Sequence, residues 1–132
     1  APGGVVVAAA ISRFASSLDG LARNLSLDPA CVAIRDRDLA DGQHRNPGNH
    51  PDYFTTAYLH RPEDLRVELE TVGFADARVL GVEGPAWILP DLSERWDEAP
   101  TRQVVLTTAR ALEAEPSIVG ASAHLLGIGR KH

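Results

Sequence analysis

Pro2-Gly3-Gly4-Val5-Val6-Val7-Ala8-Ala9-Ala10-Ile11-Ser12-Arg13 sets a turn directly before an unbroken apolar run. Proline and glycine are turn formers, so the run has a defined start. Residues 5–11 contain no polar residue that would give an alternating pattern. A short run of this kind is expected to be a strand buried on both faces, as in a parallel α/β sheet. Phe14, Leu18, Leu21 and Leu25 then recur at i, i+4, i+7 and i+11, one stripe of an amphipathic helix. Strand followed by helix is the opening of an α/β domain.

The rest of the chain continues that alternation. Asp28-Pro29 is a helix start: the carboxylate caps free amides, and proline takes the first helical position. The spacing predicts a helix over 29–40, with Val32 and Leu39 inward and the alternating charges Arg35-Asp36-Arg37-Asp38 on a solvated face. Residues 41–52 are rich in Gly, Asn, Pro, His and Asp and read as a loop of functional length. Residues 54–59 read as a short extended segment. Arg61-Pro62-Glu63-Asp64 starts another helix that Gly73 ends, with Leu65, Leu69 and Val72 inward. A second strand is expected over 77–82, an apolar loop over 83–90, a helix over 101–115 stopped by Pro116, and a last strand over 122–128. Three strands with a doubly buried first member leave an edge open, and such an edge calls for further strands, a partner or self-association.

Composition narrows the class. With 132 residues, 44% hydrophobic and 23% charged, the chain has a one-domain length and globular values. A net charge of -5 argues against a phosphate-tracking nucleic-acid binder. No apolar run approaches the roughly 18 residues of a membrane helix. Cys31 is the single cysteine, which together with the absence of a leader-like segment gives a cytoplasmic expectation. There is no methionine, and an apolar strand stands at the very start. The expectation is a chain that begins within a domain, with 1–132 as its C-terminal, substrate-side portion.

Five segments carry a family resemblance. They are Pro2-Gly3-Gly4 before an apolar strand, Phe54-Thr55-Thr56-Ala57-Tyr58-Leu59-His60-Arg61-Pro62-Glu63-Asp64-Leu65, Glu70-Thr71-Val72-Gly73-Phe74, and Val79 to Trp87 followed by Ser122-Ala123-His124-Leu125-Leu126. In this order they resemble the C-terminal half of a class I S-adenosylmethionine-dependent methyltransferase of a bacterial small-molecule branch. Leu59 stands where that branch has an aromatic residue, Asp64 where it has a second Glu, and Val72 where it has Ala. The resemblance implies a partial Rossmann-like sheet of the family's fifth, sixth and seventh strands, the seventh antiparallel between the other two. It implies an enzyme transferring a methyl group to a small molecule. It also implies S-adenosylmethionine as cofactor, bound mostly outside this chain. No G-x-G turn links a strand to a helix, and Gly127-Ile128-Gly129 lies too close to the end to do so. The other reading of the chain is a small α/β binding or interaction domain without catalysis.

Four residues are candidates for the substrate pocket. Arg13 follows the first strand, at the sheet edge where ligands of open α/β sheets bind, and suits an anionic group. Its alternative is a solvated arginine at a helix start. Tyr58 and His60 alternate along an extended segment and share a face. His60 is the candidate catalytic base, with helix capping as its alternative. Trp87 suits stacking on a flat substrate, or plugging of the core. His44, His50, Asp52 and His60 raise a metal reading that their irregular spacing disfavours. Cys31 reads as an inert helical thiol.

Overall fold

The computed structural model describes residues 3–132, so the Ala1-Pro2 end of the expected opening turn lies outside the described residues. The valine-rich run forms β1 (Val5–Ser12). α1 (Ala15–Ala22) follows and ends before Asn24, whose φ of 57° is left-handed. Leu25 therefore falls in a separate 3-10 turn and Leu21 is exposed, so the predicted four-residue stripe does not form one helix. α2 (Pro29–Asp41) starts where the Asp28 side chain accepts the Ala30 N–H at 2.8 Å and stops at Gly42 with φ 76°.

β2 (Gln43–His44) and β3 (Ala57–His60) bracket the Gly/Asn/His-rich loop and pair antiparallel. α3 (Pro62–Thr71) leads through Gly73 into β4 (Phe74–Gly81). A 3-10 turn (Gly84–Ile88), α4 (Leu92–Asp97) and α5 (Ala99–Leu112) come next. β5 (His124–Lys131) completes a five-stranded mixed sheet of order β2-β3-β1-β5-β4. The class is α/β, with two more strands than the three predicted. β5 runs antiparallel to both β1 and β4, while β3 is parallel to β1.

The two faces of the sheet are unequal. Ala8, Gly127 and Val79 stand in register, as do Ala10 and Leu125, and α3 lays Leu65 and Leu69 over this face. A Cβ on Gly127 would stand 3.0 Å from Leu69 Cδ1, so the glycine lets the helix approach the strand. Gly127 thus serves helix packing, while a Cβ on Gly129 would stand 2.8 Å from Phe74 Cβ of β4. Burying a leucine side chain stabilises by about 1.5–3 kcal/mol, and Leu125 is completely buried here. On the opposite face Val5 and Val7 are 59% and 60% exposed, which corrects the expectation of burial on both faces. An all-apolar run does not distinguish a covered face from an open one.

No helix among the described residues is long and apolar enough to cross a membrane.

Candidate functional site

The parallel strands β1, β3 and β4 deliver their carboxyl ends to one edge, and β5 begins there, with Ile11 opposite His124 and Gly81 opposite Leu125. A cavity of 460 Å³ lies at this edge. Its sheet side is Ile11, Leu59, Ala123 and His124. Ser16 of α1 and Cys31 and Ile34 of α2 form the helical wall, and Tyr53, Phe54 and Trp87 contribute aromatic surface. Mostly apolar concave sites of this size with a few polar groups suit small organic ligands.

The segment after β4 is stitched to the start of β5. The Val82 N–H donates to the His124 carbonyl at 3.0 Å, and the Gly84 N–H to Ser122 Oγ at 2.8 Å. The Trp87 indole N–H donates to the Ala121 carbonyl at 2.8 Å. A Cβ on Gly81 would fall 2.4 Å from Ser122 Oγ, so only glycine admits this contact. Glu83 is consequently held against His124: one carboxylate oxygen accepts the His124 main-chain N–H at 3.0 Å and the other meets Nδ1. A carboxylate at Nδ1 fixes the tautomer with the proton on that nitrogen. His124 Nε2 has no hydrogen-bond partner among the described residues, and its side chain is 55% exposed.

A second histidine borders the cavity from the other side. His44 Nδ1 lies 2.7 Å from Asp38 Oδ2, and its Nε2 lies 3.2 Å from the Phe54 carbonyl oxygen. Ser16 donates to the same Asp38 oxygen at 2.5 Å, whereas Asp38 Oδ1 is buried without a partner. Asp38 is 0% exposed, which corrects its expected place on a solvated face. It stands four residues after Ile34 and seven after Cys31, so all three share one face of α2.

The loop between β2 and β3 is tied down as the outer wall. Arg23 donates to the Asp52 carbonyl at 3.1 Å. Tyr53 donates its hydroxyl to Asp28 Oδ2, a bond that pushes the phenol up to about 12 and holds the Asp28 carboxyl below its ordinary value. Desolvation raises the Cys31 thiol, in keeping with an unreactive cysteine.

The four residues predicted for the pocket are divided by the sheet. Arg13, Tyr58 and His60 come together on the α3 side. Arg13 is 4% exposed, with Nε donating to the Leu59 carbonyl at 2.7 Å and a terminal nitrogen to the Tyr58 hydroxyl at 3.2 Å. Asp64 lies 3.5 Å from the same nitrogen. Arg13 is thus no solvated residue, and its donors face the protein's own acceptors. His60 meets Tyr58 edge-on at 4.7 Å, and its Nε2 is 3.3 Å from Glu68.

Trp87 lies apart from these three, in the cavity with Leu59. The strand period of two explains the separation: Leu59 points to the face opposite Tyr58 and His60. His124, Glu83, Asp38, His44 and Ser16 were not singled out as pocket residues by sequence reasoning. The helical period was a usable signal for Asp38. No local signal joins Glu83 to His124.

Among the described residues, no three or more His, Cys, Asp and Glu side chains gather in a group fit for a metal ion. His50 instead stacks on Tyr53 at 4.3 Å. Nor does a glycine-rich turn join a strand to a helix at this edge: β1 passes to α1 through Arg13-Phe14, and β3 to α3 through Arg61. These connections are not the glycine-rich turn that the resemblance implies for the nucleoside of S-adenosylmethionine. No protein-family model and no curated protein matches the chain.

Proposed function

We propose that this chain is the substrate-side portion of an S-adenosylmethionine-dependent methyltransferase acting on a small molecule. The observation that carries the reading is the placement of antiparallel β5 between the parallel strands β1 and β4, with a cavity at their carboxyl edge. This is the strand arrangement that the sequence resemblance implies. The resembling segments also fall at element junctions: Tyr58 to Leu65 crosses from β3 into α3, Glu70 to Phe74 from α3 into β4, and Ser122 to Leu126 enters β5.

The open edge of β1 gives further support. β3 pairs with it only at Ile11 and Ser12, so residues 5–10 have no strand on that side among the described residues. An apolar strand with free amides and carbonyls is a template for pairing. In this reading, further strands of the same domain occupy that edge and supply the cofactor site. The acceptor occupies the cavity, walled by Trp87, Tyr53 and Phe54. The Arg13–Tyr58–His60 cluster does not line this cavity and stands on the other face of the sheet, behind Leu59.

The test uses the product of the complete reading frame that contains these 132 residues. It is expected to bind S-adenosylmethionine in a calorimetric titration and to transfer its labelled methyl group to small molecules. The 132-residue chain alone is expected to show no binding at micromolar concentrations. A complete protein that does not bind the cofactor overturns the reading. Tight binding by the isolated chain refutes the account of where the cofactor sits.

A further inference from the structure

We propose that the cavity takes a small neutral phenol and that His124 Nε2, oriented by Glu83, accepts its hydroxyl proton. The inference rests on reading this cavity as an acceptor-substrate site.

The walls select the shape. Tyr53, Phe54 and Trp87 offer flat faces, Ile11 and Leu59 a hydrocarbon floor, and the 460 Å³ volume accommodates a molecule of one or two rings. The charges bordering the cavity are already matched. Arg23 lies 3.1 Å from Asp19 and 3.8 Å from Asp52, and Arg35 lies 2.7 Å from Asp36. No unmatched cation among them favours an anionic ligand, so a neutral one is preferred.

The polar groups then select a proton donor. Ser16 already donates to Asp38, and both nitrogens of His44 face acceptors. Burial keeps the Cys31 thiol protonated. That leaves His124, whose Nδ1 is engaged by Glu83 and whose Nε2 is free. A neutral imidazole in this tautomer carries a lone pair on Nε2, and a phenol hydroxyl is the complementary donor. When the proton passes, it forms an N–H bond at Nε2 and the O–H electron pair stays on oxygen as phenolate. The imidazolium is then balanced by the Glu83 carboxylate on its other nitrogen. His124 is the group in contact with the ligand, and Glu83 is a positioning residue.

The experiment compares 4-nitrophenol with 4-nitroanisole, its methyl ether, on the 132-residue chain. Quenching of tryptophan fluorescence reads binding, and the phenolate absorption band reads proton transfer. The chain is expected to bind the phenol roughly tenfold more tightly than the ether, the size of one well-made hydrogen bond, and to raise the bound phenolate fraction. His124→Ala is expected to erase both differences. Glu83→Gln is expected to lower the phenolate fraction while leaving affinity for the ether unchanged, which a merely structural role would not do. Trp87→Ala, followed by calorimetry because it removes the cavity's own tryptophan, is expected to weaken both ligands alike.

Equal affinity for phenol and ether in the unmodified chain overturns the proposal, as does absence of binding by either. If His124→Ala does not fold, Glu83→Gln with an unchanged phenolate fraction still overturns it. Phenol binding together with a complete protein that transfers no methyl group defeats the proposed function alone. Methyl transfer without a phenol preference defeats this inference alone.

Discussion

Two histidines border the same cavity, and each sets its Nδ1 against a carboxylate: His44 against Asp38, and His124 against Glu83. Their second nitrogens differ. His44 Nε2 faces the Phe54 carbonyl and the whole pair is buried, so both ends of the imidazole are used in joining α2 to the β2–β3 loop. His124 has an unoccupied Nε2 and a half-exposed ring, while Glu83 also takes its main-chain N–H. The same chemical pair thus builds a fastening in one place and a reactive-looking lone pair in the other. Burial and the count of remaining partners make the difference, and residue type alone does not.

The comparison is broken most directly by His44→Ala. It strips Asp38 Oδ2 of its ring partner beside an Oδ1 that already lacks one, and frees the Phe54 carbonyl. Removing one member of a buried pair costs about 3 kcal/mol or more. Urea denaturation is expected to show that loss, with faster proteolysis in residues 45–56. A variant as stable as the parent would make the pair dispensable and the contrast with His124 empty.

The fastened side is sharpened by a pH titration of the same loop. Tyr53 donates to Asp28, which raises the phenol from 10.0 to about 12 and lowers the carboxyl. A folded-state value above the unfolded one means that the contribution to stability is complete below pH 10.0 and is lost as pH rises toward about 12. The lowered Asp28 carboxyl acts in the opposite sense: its contribution is present above 3.8 and lost as pH falls below it. With Tyr58→Phe, Tyr53 is the one tyrosine left of two. Its tyrosinate absorbance is expected to titrate near 12, and adding Asp28→Ala to return the midpoint toward 10.0. A midpoint already at the ordinary value with Asp28 present would remove this anchor.

How much of this could be read beforehand follows from the range over which each feature is determined. The Asp28-Pro29 cap, the Pro62 start and the Gly73 stop are set by a few adjacent residues, and they were legible. The strand at 5–12 was legible as a strand, but its open face depends on where α3 lies. β3 carries only four residues, and its place beside β1 is fixed by two register pairs that no local pattern announces. The candidate site was legible only in part for the same reason. Tyr58 and His60 do share a face, yet Trp87 emerges on the other one. The partner of His124 lies 41 residues away and meets it through the antiparallel turn of β5 onto β4. The Asp38 position was within reach of helical periodicity, and the neighbouring alternating charges concealed it.

The smallest expected effect is the most informative about His124. Its ring is half-exposed, and a side-chain hydrogen bond at such a surface contributes little once side-chain entropy and competition from water are counted. His124→Ala leaves the Glu83 carboxylate with the main-chain N–H of residue 124 as its partner, a bond that the substitution does not remove. The strand pairing of Ile11 with residue 124 is likewise a backbone matter. Urea denaturation is therefore expected to place His124→Ala within about 0.5 kcal/mol of the parent. A loss approaching that of His44→Ala would show that the ring fastens β5 to the turn after β4, as His44 fastens its loop. Near-neutral stability leaves the histidine free of a structural duty, so any change the variant makes in phenol binding belongs to Nε2.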